Sequence, residues 1–175
     1  KITQKDIYLH IAKEAIVPFN VNIHLGGVLF EEEDGRIFFE EYPSLKEVHV
    51  LNGFISSLWG LYDYYLTTKN EVVKRIYLRG MDSLINSLPL FDTGYWSRYS
   101  LMKHRTISNI ASPYYHKAHI SQLKATNVIY ENEILLDFAE RWEKYLGNKL
   151  TYFRIVLTKG LSRLAYMYKE KQTSD

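Results

Sequence analysis

The sequence lacks cysteine and contains few residues that interrupt regular structure. None of its 175 residues is cysteine, which excludes disulfides, thiolate metal sites and a cysteine nucleophile. With only 4 Pro and 9 Gly, it has no proline- or glycine-rich linker, and it shows no internal repeat. No apolar run approaches the roughly 20 residues that a bilayer span needs. We therefore predict one globular domain over residues 1–175 without a membrane span.

The charge is too balanced to indicate nucleic acid as a partner. The chain carries 22 basic and 20 acidic residues, for a net charge of +2. A nucleic-acid-binding domain usually shows a marked basic excess or a basic patch. Hydrophobic residues make up 46% and charged residues 24%, both ordinary for a globular protein. This composition excludes disordered and collagen-like classes.

Tyrosine is unusually abundant. The chain has 15 Tyr against 8 Phe. Phenylalanine fills a core as well as tyrosine does, so the additional hydroxyl groups require another explanation. One is a carbohydrate-binding surface, where the ring stacks on a sugar and the hydroxyl forms hydrogen bonds. The other is that many tyrosines lie half-buried at the ends of helices and strands. Composition leaves both open.

Apolar periodicity predicts a mainly α-helical fold. A β-hairpin is predicted over residues 28–42 because Asp34-Gly35 is a typical hairpin turn. An extended segment with alternating aromatic and polar residues is predicted over residues 95–102. Asn132 is predicted to cap a helix that ends at Gly147. The helical pattern begins at about residue 45, where Leu51, Phe54, Ile55, Leu58 and Trp59 form one apolar stripe. The other predicted helices cover about residues 6–19 (disturbed by Pro18), 70–88 (closed by Pro89), 115–130 after Ser112-Pro113, 132–146 and 150–171, the last with Phe153, Val156 and Leu157 on its apolar face.

Short connections between these amphipathic helices favour antiparallel helical hairpins. A bundle, a globular helical array and an (α/α) toroid all have such pairs, and periodicity does not distinguish them.

Three polar-aromatic clusters fall at breaks between predicted elements, where functional sites are often found. They are Glu40 to Pro43, Asp92 to Tyr99, and Ser112 to His119. Each has a purely structural explanation: solvated charges at a strand end, a turn that stops a helix, and a helix start. His116 and His119 have a spacing that suits a metal ion, but no third ligand is indicated, so we predict neither metal nor cofactor. Carboxylate, phenol, imidazole and cationic groups together favour proton transfer at a carbon acid over hydrolysis.

At these residues the sequence resembles the C-terminal catalytic region of the D-glucuronyl C5-epimerases. The matching segments occur in the family's order and at nearly the family's spacing. They are Glu40-Glu41-Tyr42-Pro43, Val50-Leu51-Asn52-Gly53-Phe54, Gly60-Leu61-Tyr62-Asp63, Arg79-Gly80-Met81, Leu88-Pro89-Leu90-Phe91-Asp92-Thr93-Gly94, Tyr115-His116 and Arg141-Trp142.

The resemblance implies inversion of C5 of D-glucuronate to L-iduronate in a heparosan-like polysaccharide, without a cofactor. It implies the catalytic residues Glu41, Tyr42, Tyr99 and Tyr115. It implies substrate contacts from Asn52 and His116, to which we add Arg98 and His119. We expect Glu41 and Tyr115 to act on opposite faces of the sugar, and Tyr42 and Tyr99 to donate hydrogen bonds or relay protons.

The chain departs from animal family members after Tyr99. Those enzymes continue with Asp-Leu-Arg, whereas this chain continues with Ser100-Leu101-Met102. We therefore expect Arg98, Lys103 or Arg105 to bind the substrate's anionic groups. Before Tyr99, Tyr95-Trp96-Ser97-Arg98 replaces a small, flexible segment, which predicts a different sugar subsite.

The resemblance also implies a fold of later helices from an incomplete (α/α) toroid. A preceding segment or self-association as a homodimer is then expected to cover apolar surface. The expected compartment is the cytoplasm or cell envelope for a bacterial member and the Golgi lumen for a eukaryotic one. Two rival functions remain open: a polyuronate lyase, and a non-catalytic carbohydrate-binding helical domain.

Overall fold

A computed structural model describes residues 6–43, 47–102, 109–148, 150–151 and 153–160. These residues are mainly helical with one two-stranded antiparallel sheet, which confirms the predicted class. The chain divides into two compact units, Lys1–Ser87 and Leu88–Asp175. The helices and strands are α1 Asp6–Ile16, β1 Leu29–Glu31, β2 Ile37–Phe39, α2 Leu51–Thr68, α3 Glu71–Phe91, α4 Pro113–Ile129 and α5 Glu133–Leu146. Among the described residues, no helix is both long and apolar enough to cross a bilayer.

In the first unit, α1 ends earlier than its periodicity predicts. The α-helix stops at Ile16, and the tighter 3₁₀ turn Val17–Asn20 follows with Pro18 near its start. The fixed φ and missing N–H of proline suit a first turn but disrupt a helix interior. None of the residues of α1 is buried.

The predicted hairpin is confirmed, with shorter strands. Leu29 pairs with Phe39, and Glu31 with Ile37. In the turn, the Asp34 carboxylate accepts a hydrogen bond from the Arg36 backbone N–H at 3.1 Å. All three residues of β2 are buried, and this strand packs on α2.

Helices α2 and α3 complete the core of the first unit. The buried stripe of α2 is Leu51, Phe54, Ile55, Leu58 and Leu61, which confirms the predicted apolar face except that Trp59 is only half-buried. The stripe begins with the helix at residue 51, because residues 47–50 are not helical and residues 44–46 lie outside the described part. A Cβ added at Gly80 of α3 would lie 2.5 Å from the Leu58 side chain, so the glycine permits close helix packing.

Pro89 does not end α3, contrary to expectation. The helix continues through it to Phe91. In the last turn, proline removes a single helical N–H, and the remaining residues keep the helical path.

In the second unit, the alternation of aromatic and polar residues over 95–102 is not matched by alternating burial. Trp96 and Ser97 are both buried, and only isolated bridges form, between Asp92 and Ser97 and between Arg98 and Ile110. A tight turn explains this path, because the Thr93 N–H donates to the Trp96 carbonyl at 3.0 Å.

The predicted Asn132 cap of α5 is confirmed, and Ser112, which was expected only to precede α4, caps that helix as well. The Ser112 hydroxyl accepts from the Tyr115 N–H, and the Asn132 side chain accepts from the Ile134 N–H. The two helices pack on each other. Gly147 follows α5 in a right-handed conformation, so its freedom to adopt positive φ is not used.

The predicted apolar face of the last helix is wrong for the described residues. Residues 150–151 and 153–160 are helical, but Phe153 and Val156 are 66% and 69% exposed, and Leu157 is also exposed. Thr151 and Ile155 are buried instead, because this side packs near Trp96 and Ala111. Residues beyond 160 lie outside the described part.

Candidate functional site

In the first unit, Glu41 and Tyr42 follow β2 on the protein surface. Both are exposed, and Tyr42 keeps 55% of its accessible area. The preceding Glu40 is buried and points the other way, since its carboxylate accepts the His49 N–H. The buried Glu40 therefore anchors the backbone from which Glu41 and Tyr42 project.

The Glu41 carboxylate lies over the first turn of α2. A Cβ added at Gly53 would lie 2.5 Å from Glu41 Oε2 and 3.3 Å from the Glu41 Cβ. Glycine at position 53 is what leaves room for this carboxylate. The start of a helix also favours a nearby negative charge, because its N–H groups point outward. The predicted substrate residue Asn52 is half-buried beside Gly53.

In the second unit, Tyr99 and Tyr115 form an edge-to-face pair. Their ring centroids lie 4.8 Å apart at 61°. Both rings are half-buried and pack against the cluster that contains Trp96, Ile110 and Ala111. Tyr115 lies in the first turn of α4, and the Tyr99 backbone N–H donates to the Asn109 carbonyl at 2.7 Å. The structure thus brings Tyr99 and Tyr115, two of the four predicted catalytic residues, into contact beside one buried cluster.

His116 is buried behind this pair in a defined protonation state. Its Nε2 lies 2.9 Å from the Trp142 carbonyl oxygen, which can only accept, so Nε2 carries the proton. Nδ1 then accepts the Ser97 backbone N–H at 3.1 Å. The ring stacks on Trp96 at 3.6 Å. Burial lowers the His116 pKa to about 4, which keeps the imidazole neutral.

His119 is the deeper of the two histidines. The Ser97 hydroxyl lies 2.8 Å from His116 Nδ1 and 2.9 Å from His119 Nδ1, so one hydroxyl joins both rings. Burial, and then the neighbouring His116, lower the His119 pKa to about 3. Both rings are fully buried, so this geometry favours a positioning role over direct contact with a substrate.

A second polar network lies between the end of α3 and α5. The Tyr145 hydroxyl donates to Asp92 at 3.2 Å, and Arg141 forms an ion pair with the same carboxylate at 3.3 Å. Burial and then the Asp92 charge raise the Tyr145 pKa to about 12. This network joins the Asp92 turn to α5, so the turn has a structural role as well as ending a helix.

Arg98 is half-buried, and its backbone N–H donates to the Phe91 carbonyl at 2.7 Å. The alternative anion-binding residues Lys103 and Arg105 lie outside the described residues. No role was predicted for Gly53 or Ser97. The available signal for Gly53 was its place in the matched segment Val50-Leu51-Asn52-Gly53-Phe54. The available signal for Ser97 was its place in the replaced segment before Tyr99.

The described residues are mainly helical, with Glu41 and Tyr42 after the hairpin of the first unit and the Tyr99–Tyr115 pair in the second. The family model described as the D-glucuronyl C5-epimerase C-terminus matches residues 1–144. The chain belongs to this family.

Two relatives illustrate the match. A D-glucuronyl C5-epimerase of Caenorhabditis elegans is 36% identical over 157 residues, covering 81% of this chain and 25% of that protein. An uncharacterized protein of Methanocaldococcus jannaschii is 30% identical over 145 residues, covering 81% of this chain and 46% of that protein. The chain therefore spans about a quarter and about half of these relatives.

Proposed function

We propose that the chain contributes to inversion of C5 in D-glucuronate residues of a heparosan-like polysaccharide. The observation that carries this proposal is the Tyr99–Tyr115 pair, which packs against the buried cluster that contains Trp96. Membership of the epimerase family supports it. Paired phenols suit this reaction because each can give or take a proton and can also bind a sugar hydroxyl.

The chemistry is carbon-acid chemistry. A base removes the C5 proton, and the electron pair of that bond moves into the neighbouring carboxylate to form an enediolate. An acid then returns a proton to C5 from the opposite face, so the centre is inverted with no redox change. The residues needed are a base, an acid and donors to the developing oxyanion.

We assign the two proton-exchanging roles to Glu41 and Tyr115. Tyr42 and Tyr99 are assigned as donors or proton relays, and Asn52 and Arg98 as substrate-binding groups. In place of direct substrate contact, His116 would fix the ring of Trp96 and the start of α4, and His119 would hold Ser97.

The first test follows exchange of the C5 hydrogen of a heparosan oligosaccharide with heavy water, using the chain and NMR. Tyr115→Phe should lose most exchange, whereas the neighbouring Tyr114→Phe should retain it, because Tyr114 is 75% exposed. Equal exchange in both variants would contradict the role of Tyr115. An unsaturated product that absorbs ultraviolet light would identify a lyase instead, and binding without exchange would support a carbohydrate-binding module.

The second test displaces the Glu41 carboxylate without substituting Glu41 itself. Gly53→Ala adds a methyl group in contact with the Glu41 carboxylate, and only a flexible side chain must shift. Alanine also favours the helix by up to about 1 kcal/mol, so the variant should stay folded while exchange falls about tenfold or more. Gly60→Ala in the same helix meets open space and is the matched control. Full exchange in Gly53→Ala would remove Glu41 from the reaction.

A further inference from the structure

Four ionisable side chains converge in the first unit: Glu32, Glu40, Glu47 and His49. His49 is at the centre, with its side chain 1% exposed. Its Nε2 lies 2.8 Å from Glu32 Oε1, and its Nδ1 contacts the Glu40 carboxylate. Ligand atoms of Glu32, Glu47 and His49 all lie within 4.8 Å of one another.

We propose that Glu32, Glu47 and His49 bind one divalent transition-metal ion, with zinc as the best-suited ion. Imidazole nitrogen and carboxylate oxygen are both ligand types that zinc accepts, and a fourth position is left for water. Zinc ligands lie about 2.0–2.2 Å from the ion, so binding would open the 2.8 Å contact between His49 Nε2 and Glu32 Oε1 and bring the Glu47 carboxylate towards the ion.

The Glu40 carboxylate lies on the Nδ1 side of the His49 ring. Its carboxylate accepts from Nδ1, so Nε2 is left to bind the ion as a neutral imidazole nitrogen. The same carboxylate accepts the His49 backbone N–H at 3.1 Å, which holds the residue at an unusual φ of 47°. Carboxylate, imidazole and metal in this order are typical of protein zinc sites.

Apolar rings lie beside the His49 side chain. Phe38 stacks on the ring at 4.1 Å, and Phe30 lies 5.2 Å away. A polar ring next to such apolar groups needs close polar partners, and the Glu32 and Glu40 carboxylates supply them on its two nitrogens.

The site ties the hairpin to the segment that leads into α2. Glu32 belongs to the hairpin turn, Glu40 follows β2, and His49 comes two residues before the helix. The ion would therefore stabilise the backbone beside Glu41 without taking part in proton transfer. No familiar spacing marks these residues in the sequence, since folding alone brings them together.

The test is calorimetric titration of the metal-free chain with zinc, without any sugar substrate. We expect one zinc ion per chain, a higher melting temperature with zinc, and at least tenfold weaker binding in Glu32→Gln and Glu47→Gln. Glu40→Gln should weaken zinc binding 10- to 100-fold, because the carboxylate that accepts from His49 Nδ1 is lost. His24→Gln, which changes an exposed histidine, is the matched control.

A second measurement covers the case in which a variant fails to fold. Nitrogen NMR of the wild-type His49 ring should show Nε2 losing its proton and shifting when zinc is added. Protons on both ring nitrogens in the presence of excess zinc would overturn the proposal and establish a buried imidazolium. Zinc binding unaffected by Glu32→Gln and Glu47→Gln would also overturn it. Neither result depends on epimerase activity.

Discussion

Acid should destabilise the second unit through its two buried histidines. Both His116 and His119 have a lowered pKa, about 4 and about 3, chiefly because of burial. Between these values and 6.5, the unfolded chain binds protons that the folded chain does not. Stability must therefore fall as the pH decreases through this window, and it should not depend on these groups above about pH 7.

The size of the effect follows from the His116 pKa. With 6.5 in the unfolded chain and about 4 in the folded chain, lowering the pH from 8 to 5 costs about 2 kcal/mol for this residue alone. The assay is urea unfolding at a series of pH values. His116→Gln should remove about 2 kcal/mol of that decline, whatever its effect on stability at pH 8. The exposed His24→Gln should leave the decline unchanged.

NMR titration supplies the direct check. Ring signals of His116 should show an imidazole that is about nine-tenths neutral in the folded protein at pH 5, with a midpoint near pH 4. A midpoint between 6 and 7 would refute the reasoning, because the imidazole would then be charged despite complete burial. Equal pH dependence in wild type and His116→Gln would refute it independently.

Two further perturbations test packing and hydrogen bonding. Gly80→Ala should lower the free energy of unfolding by about 1–2 kcal/mol in urea, because the added methyl group contacts Leu58. Gly60→Ala, the control, should raise it by up to about 1 kcal/mol. An unchanged free energy of unfolding in Gly80→Ala would contradict the close packing. Tyr145→Phe should cost about 1 kcal/mol at neutral pH because Asp92 loses a donor. Since the Tyr145 pKa is raised to about 12, stability from this group is lost as the pH rises from about 10 to 12, and ultraviolet titration should find one late-ionising tyrosine that the variant lacks.

Local signals predicted much of the fold. Asn132 caps its helix as expected, because a side-chain acceptor at a helix start satisfies free N–H groups regardless of the rest of the fold. The Asp34-Gly35 turn likewise forms the hairpin, with Gly35 at a φ of 86°. These interactions depend on neighbours in sequence.

Burial that depends on distant neighbours was not predicted correctly. Aromatic and polar residues alternate in sequence over 95–102, but Trp96 and Ser97 are both buried because the turn at Thr93 and the histidines of α4 surround them. In the last helix, the hydrophobic pattern predicted that Val156 is buried, but the structure buries Ile155 instead. Periodicity describes which faces a helix has, and the packing partners decide which face is covered.

The candidate site was predictable only through the family resemblance. Composition and clustering pointed to acid–base groups at breaks between elements, but did not select Tyr115 over Tyr114. The structure separates these two, because Tyr114 is exposed and Tyr115 packs on Tyr99. The role of each remains a prediction that the exchange experiment tests.

Helix α1 has a different consequence for the chain's local motions. Its 11 residues bury no side chain, and a helix of this length is marginal on its own in water. Opening α1 therefore exposes little new apolar surface, so it can unfold without the rest of its unit. Its amide hydrogens should exchange with solvent long before those of α2, whose stripe of Leu51, Phe54 and Leu58 is buried. Limited proteolysis should accordingly cut first within residues 6–16.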